Sequence, residues 1–296
     1  MRLTRAPRLR FVAAPIPTAA LILALSLSLG GARRADSAAL LIRDADDVLY
    51  LHFGGALHST DAASLAALGL DHHQARYMPR RSPGVLPEGE PLPPLQDGSI
   101  VATPDGARYL VLQGLHAIPD EATFDAYGWA GADGFAPRPI VPVPAGLPAA
   151  AVVGAPLERA ARAADQRRFD WGYCTWWVAR RRAVPWNGNA VEWFANAQAM
   201  GYATGDRPLP GAILVRRSAT WAGFGHVAYV ESVAGTTFTV SEMNINYVGE
   251  LTTTTYDLAT KPPPGLLGFV YWRYAPEPPP AEPPRGRDRG QGPFIE

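Results

Sequence analysis

Cysteine is almost missing from this chain: among 296 residues there is one, Cys174. A disulfide within the chain is therefore excluded. Excess charge of either sign is missing too, with 27 basic and 27 acidic residues. No long Lys/Arg run exists outside the first ten residues and Arg180 to Arg182. That balance argues against a general nucleic-acid binder, whose affinity needs a concentrated positive surface. Beyond residue 32 no hydrophobic run approaches the roughly 20 apolar residues that a membrane-spanning helix needs. Histidine is scarce in the C-terminal half: of six, only His226 lies beyond position 116.

What is present begins with an export pattern. Arg2, Arg5, Arg8 and Arg10 precede an apolar stretch, densest from Ala19 to Leu29, and small residues follow at Gly30, Gly31 and Ala32. A basic front, an apolar middle and a small-residue cleavage site make a signal peptide. An uncleaved N-terminal anchor is the alternative, although Pro15 and Pro17 interrupt its start. The expected location is secreted or cell envelope. Outside the cytosol cysteines usually pair. A lone one there points to an intermolecular bond, to a reactive thiol, or to a small apolar core residue.

The length suits about two domains. After the signal or anchor (1–35), residues 36–96 and 97–150 read as two copies of one unit. At an offset of 59, Tyr50 matches Tyr109, Gly55 matches Gly114, Asp61 matches Asp120 and Gly69 matches Gly128. Each copy later reaches a Pro-x-Gly, at Pro87 to Gly89 and at Pro144 to Gly146. Self-similarity of this kind marks a duplicated supersecondary unit. Each unit reads as strand, turn, strand and short helix, with Asp120 as an N-cap and Gly128 as a stop. Residues 151–166 read as a partly helical linker, 167–275 as the main domain, and 276–296 as a disordered, proline-rich tail. His72 and His73 are adjacent, a poor metal spacing, and read as a solvated loop.

The main domain holds the chemistry. Cys174 opens a helical segment, CTWWVARRR, where the first turn favours a thiolate. The arginines that follow read as a solvated face. A second helix runs from Ala190 to Met200. Beyond Pro210-Gly211, AILVR reads as a strand, and HVAYVESV and FTVSEMN form a hairpin. A three-residue loop, Ala234 to Thr236, sets Val233 opposite Thr237 and His226 opposite Asn244. His226, Glu242 and Asn244 then share one face. A two-residue loop breaks that parity unless a bulge restores it. A cysteine nucleophile needs a base, and the base needs a third group to hold it. Cys174, His226 and Glu242 or Asn244 supply all three, against the alternative of a structural histidine at a sheet edge.

The segments GYCTWWVARRR, PWNGNAVEW, PGAILV, GHVAYVESV, TVSEMN and GFVYWR, in this order, resemble the CHAP domain, the cysteine, histidine-dependent amidohydrolase/peptidase family. The resemblance covers about residues 167–274. It implies an α+β, papain-like domain, helices packed on an antiparallel sheet, here preceded by two small β-rich repeats. It implies Cys174 as nucleophile, His226 as base, Glu242 as the group orienting His226, and Asn244 as a further polar site residue. The family often has glutamine before the cysteine, where this chain has Tyr173. Tyr173, Trp186 and Trp221 are groove candidates, since aromatic rings stack on sugar faces; for the two tryptophans, covering the core is the alternative. Some relatives bind calcium through an acidic loop before the cysteine. Only Asp165 and Asp170 stand there, so no metal is expected, and no organic cofactor. The implied partner is peptidoglycan or its muropeptides, cleaved at an amide bond. No nucleic acid is expected, and contact with a membrane only through the N-terminal segment. The alternatives are a non-catalytic wall-binding module and a cysteine amidase or transpeptidase acting on another amide.

Overall fold

The computed structural model describes residues 40–78, 86–131, 133–161, 168–217 and 223–276. The export segment, Asp165, Trp221 and all of the C-terminal tail but its first residue lie outside the described residues. No helix among the described residues is long and apolar enough to cross a membrane.

Alternating apolar residues build two small sheets first. Strands β1 (Leu40–Asp44), β2 (Leu49–Phe53), β3 (Ala56–Thr60) and β4 (Arg76–Met78) pair in the order β3-β2-β1-β4. Strands β5 (Ile100–Ala102), β6 (Arg108–Val111), β7 (Leu115–Ile118) and β8 (Ile140–Pro142) pair as β7-β6-β5-β8. In both sheets the last strand runs parallel to its neighbour and the other pairs are antiparallel. In each sheet a helix with an aspartate cap, Ala62–Ala67 or Glu121–Ala126, lies between the third and fourth strands. Asp61 accepts from the Ser64 backbone N–H at 2.7 Å and Asp120 from that of Thr123 at 2.8 Å. The capped hydroxyls do a second job: Ser64 Oγ accepts from Leu95 N at 2.9 Å, and Thr123 Oγ1 from Ala160 N at 3.1 Å.

The Pro-x-Gly correspondence is not the structural one. Leu57 N donates to Pro87 O and Gly89 N to Leu57 O, both at 2.9 Å. The matching pair in the second sheet is Leu115 N to Val152 O at 2.7 Å and Gly154 N to Leu115 O at 3.0 Å. Gly89 therefore corresponds to Gly154, and Pro144 to Gly146 is an unrelated turn. The glycine is required by a histidine, not by a proline turn. His58 Nδ1 bonds Glu90 O and His116 Nδ1 bonds Ala155 O, each at 2.8 Å. A Cβ on either glycine would lie 2.3 Å from the imidazole.

A six-stranded antiparallel sheet carries the rest: β9 (Tyr202–Gly205), β10 (Ile213–Arg216), β11 (His226–Ala234), β12 (Thr237–Met243), β13 (Leu251–Asp257) and β14 (Leu266–Arg273), in the order β13-β12-β11-β10-β14-β9. The helix Cys174–Arg181 packs against β11 and β12, and the helix Trp193–Ala199 against β9 and β14. The chain is thus mixed α and β, with sheets dominant and helices short.

The second small sheet and the six-stranded sheet share one core. Ile100, Leu110, Phe124, Tyr127 and Trp129 belong to the same buried cluster as Trp177, Trp193, Phe269 and Trp272. The rings of Trp129 and Trp272 lie 5.8 Å apart, a favourable aromatic separation. Residues 151–161 do not form a helical linker. Leu157 is buried and bridges to Tyr274, while Glu158 N donates to Arg273 O at 2.8 Å. Backbone groups beside a buried strand need partners, and this segment supplies them to the end of β14.

The arginines after Cys174 also differ from expectation. Arg180 is exposed and pairs with Asp133 through bonds of 2.8 and 2.5 Å. Arg181 and Arg182 are buried. Arg182 donates to Gly211 O at 2.8 Å and Tyr271 O at 2.7 Å, and lies over the Tyr127 ring. The guanidinium of Arg182 thus satisfies two backbone carbonyls, and that of Arg181 the Glu231 carboxylate of β11, rather than water.

Candidate active site

Cys174 is the first residue of its helix. Tyr173 before it is extended and provides no side-chain cap. The backbone N–H groups of Thr175 and Val227 favour its thiolate form. Cys174 is buried, with only 6% of its surface exposed. His226, the first residue of β11, is buried against it. Its Nε2 bonds Glu242 Oε2 at 3.0 Å. The remaining ring nitrogen, Nδ1, is buried and is the one left to interact with Cys174. Glu242 Oε1 accepts from the Thr254 hydroxyl of β13, so both carboxylate oxygens are engaged.

The hairpin reaches this arrangement by a different route from the expected three-residue loop. Ala234 faces Thr237, leaving a two-residue turn of Gly235 and Thr236. The register then shifts between Val230 and Ser232, so that Val230 faces Val240 and Tyr229 faces Ser241. A bulge therefore restores the parity that the shorter turn removes. Asn244 follows β12 in a left-handed conformation, φ 64°, that asparagine tolerates. It is buried, and its backbone N donates to Glu250 O at 3.0 Å.

The electrostatics favour charge separation. Burial pushes the Cys174 thiol up, but the hydrogen bond and charge of His226 and the two backbone N–H groups outweigh it, and the thiol falls below its ordinary value. Burial pushes the His226 imidazole down, but its bonds to Cys174 and Glu242 raise it above its ordinary value. Burial also opposes the Glu242 carboxylate, yet His226, Thr254 and the charge of Arg216 keep it below the usual range. Thiolate, imidazolium and carboxylate support one another in sequence, as a buried charge requires. Such a set can attack a carbonyl carbon and protonate a departing amine.

The other expected residues separate. Tyr173 is exposed at the helix entry. Trp186 is buried in the core, its ring 5.0 Å from Tyr202 and 6.0 Å from Trp193, so it does not line an open groove. Trp177 is buried, while Trp176 is partly covered by Trp171. Sequence reasoning missed Thr254, whose only signal was its place in the alternating strand LTTTTYD. It also missed the exposed Trp171, Tyr247 and Val248. These sit on two segments tied together where Gly249 N donates to Gly172 O at 2.8 Å. Far from the thiol, His72 and His73 form one turn of 3-10 helix, not a loop, and Asp71 caps it. Their ligand atoms and that of Asp71 lie within 4.8 Å of one another.

A buried thiol beside an imidazole that is hydrogen-bonded to a carboxylate is an arrangement that cysteine-dependent amide hydrolases and transferases use. Residues 164–244 match the family model described as the CHAP domain. N-acetylmuramoyl-L-alanine amidase sle1 of Staphylococcus saprophyticus is 41% identical over 83 residues, which are 26% of this chain and 24% of that protein. A putative hydrolase of Streptococcus mutans is 34% identical over 106 residues, 34% of this chain and 48% of its own length. A crystal structure of N-acetylmuramoyl-L-alanine amidase from Staphylococcus aureus aligns with a TM-score of 0.30 and 25% identity, over 34% of this chain and 30% of that one. The chain thus spans between a quarter and a half of the length of these curated relatives.

Proposed function

We propose that this chain is an exported peptidoglycan hydrolase that cleaves an amide bond through a thioester on Cys174. The observation that carries it is the buried series Cys174, His226, Glu242, with every charge opposed by burial and sustained by its neighbour. The Cys174 thiolate attacks the carbonyl carbon and forms the C–S bond. Backbone N–H groups at the helix start face the developing oxyanion, a role that Tyr173 leaves to the main chain. As the C–N bond breaks, His226 gives its proton to the leaving amine. Water then adds to the thioester, His226 takes a proton from it, and the C–S bond breaks to release a carboxylic acid, which loses its remaining proton to solvent, and to restore the thiolate–imidazolium pair. Glu242 holds the ring and its charge throughout, and Asn244 serves as a further polar residue of the site. The matched relative named as an N-acetylmuramoyl-L-alanine amidase supports the bond class, and the basic, apolar N-terminal segment supports an extracytoplasmic location. The fold of this part is read as papain-like, with the nucleophile helix on an antiparallel sheet.

Trp171, Tyr173, Tyr247 and Val248 form one wall of the substrate groove in this reading. They are exposed, apolar, and carried by segments that adjoin Cys174 and Asn244. The two small sheets are read as copies of one unit, of which the second has become part of the catalytic core.

The test is digestion of purified peptidoglycan by the whole chain, with Cys174→Ala beside it, followed by mass spectrometry. New amine and carboxyl ends with one water added, produced only by the native cysteine, are expected, and their masses name the bond. Crosslinked products would assign a transpeptidase instead. Equal products from Cys174→Ala would overturn the mechanism, and binding with no products would assign a wall-binding module.

A further inference from the structure

The single bulge between β11 and β12 falls at Glu231, the residue with no partner between the Val230–Val240 and Ser232–Thr239 pairs. Without it, the register set at the turn would run on unchanged. A slip of one residue turns every side chain to the other face. His226 and Glu242 would then stand on opposite sides of the sheet, and their 3.0 Å contact would not exist. The bulge is a condition of the site.

The bulged residue is held from both sides. Glu231 Oε2 accepts from Arg181 Nη2 at 2.8 Å, and Oε1 accepts from Ser241 Oγ at 2.6 Å. Ser241 Oγ in turn accepts from Trp177 Nε1 at 2.9 Å. Trp177 and Arg181 lie three and seven residues beyond Cys174, on one face of its helix. Ser241 directly precedes Glu242. One network, buried except for the part-exposed Glu231, therefore touches each of the three elements that carry the thiol, the imidazole and the carboxylate.

We propose that Glu231, Ser241, Arg181 and Trp177 are positioning residues that pin the bulge and so hold His226 and Glu242 in register with Cys174. The inference rests on reading Cys174 as the nucleophile. A network that served stability alone would leave the ionisation of the thiol unchanged when it is cut. Buried hydrogen-bond networks specify one arrangement because a half-satisfied one is costly.

The experiment is alkylation of the whole chain by iodoacetamide across pH, which reads Cys174 alone because no other cysteine exists. The groups acting on the thiol are His226 of β11 and the backbone N–H groups of Val227 and Thr175. Behind the imidazole stand Glu242 of β12, Thr254 of β13 and the charge of Arg216 of β10. The native protein is expected to react with a midpoint below that of an ordinary thiol. Ser241→Ala and Glu231→Gln are each expected to raise that midpoint by about one unit, a roughly tenfold loss of thiolate on the acid side. Ser241→Thr restores the hydroxyl and the midpoint. Glu231→Gln keeps the side-chain shape and Trp177→Phe removes a single donor, so either reads the network should Ser241→Ala fail to fold. Folded variants with the native midpoint and only a lower melting temperature would overturn the proposal while leaving the nucleophile in place. An ordinary midpoint in the native protein would overturn both.

Discussion

Replacing Glu242 by Gln removes the charge of the third group while keeping its shape. The amide still offers an oxygen to His226 Nε2 and a polar atom to Thr254. What it loses is the negative charge 3.0 Å from the imidazole. Burial opposes the charged form at Cys174, His226 and Glu242 alike, so each is sustained by its neighbour. Removing an opposite charge at hydrogen-bond distance moves a pKa by about 1–3 units. The signs follow from the chain of contacts. The imidazole, raised in the native protein, falls. The thiol, lowered by the imidazolium, rises. Activity needs the thiolate and the imidazolium together, so the active window is the pH range in which the two coexist. In Glu242→Gln it closes from both sides, and both apparent values belong to the pair. On the acid shoulder each unit costs about tenfold in rate. The assay is kcat/KM on a defined muropeptide across pH. A profile with both limbs where the native enzyme has them, lowered only in height, would refute the electrostatic coupling argued from this geometry.

Two further substitutions separate roles that the site alone leaves joined. Trp129→Ala, in the second small sheet, is expected to cost about 3–5 kcal/mol. At about 2–4 °C per kcal/mol for a chain of this size, that lowers the melting temperature by about 6–20 °C. Melting followed by circular dichroism checks it, and a change under about 2 °C would mean that the small sheet and the six-stranded sheet do not share a core. Asn244→Gly keeps the left-handed backbone and removes only the side chain, so stability is expected to hold within about 1 kcal/mol. Lost turnover in that stable variant assigns the amide to the reaction, and native turnover limits it to shaping the turn.

Cys174 and His226, the proposed nucleophile and base, stand out because scarcity isolates them: one cysteine, and one histidine in the same half of the chain. Glu242 was legible because period two fixes which residues share a face once a register is assumed. The turn length was not legible, because Ala234, Gly235 and Thr236 carry no signal that fixes how many of them leave the ladder. The same face emerged only because Glu231 makes a bulge, and what holds a bulge is tertiary. Its anchors, Arg181 and Ser241, are distant in sequence from Glu231 by 50 and 10 residues. The buried arginines were illegible for a similar reason. A guanidinium at a helix end normally meets water, and Arg182 meets Gly211 and Tyr271 carbonyls only because the sheet closes over it. Trp186 faced inward because its neighbours in space, Trp193 and Tyr202, already formed an apolar wall. Local pattern thus singled out the proposed reacting groups, and long-range packing set the one-residue register that brings His226 to Glu242.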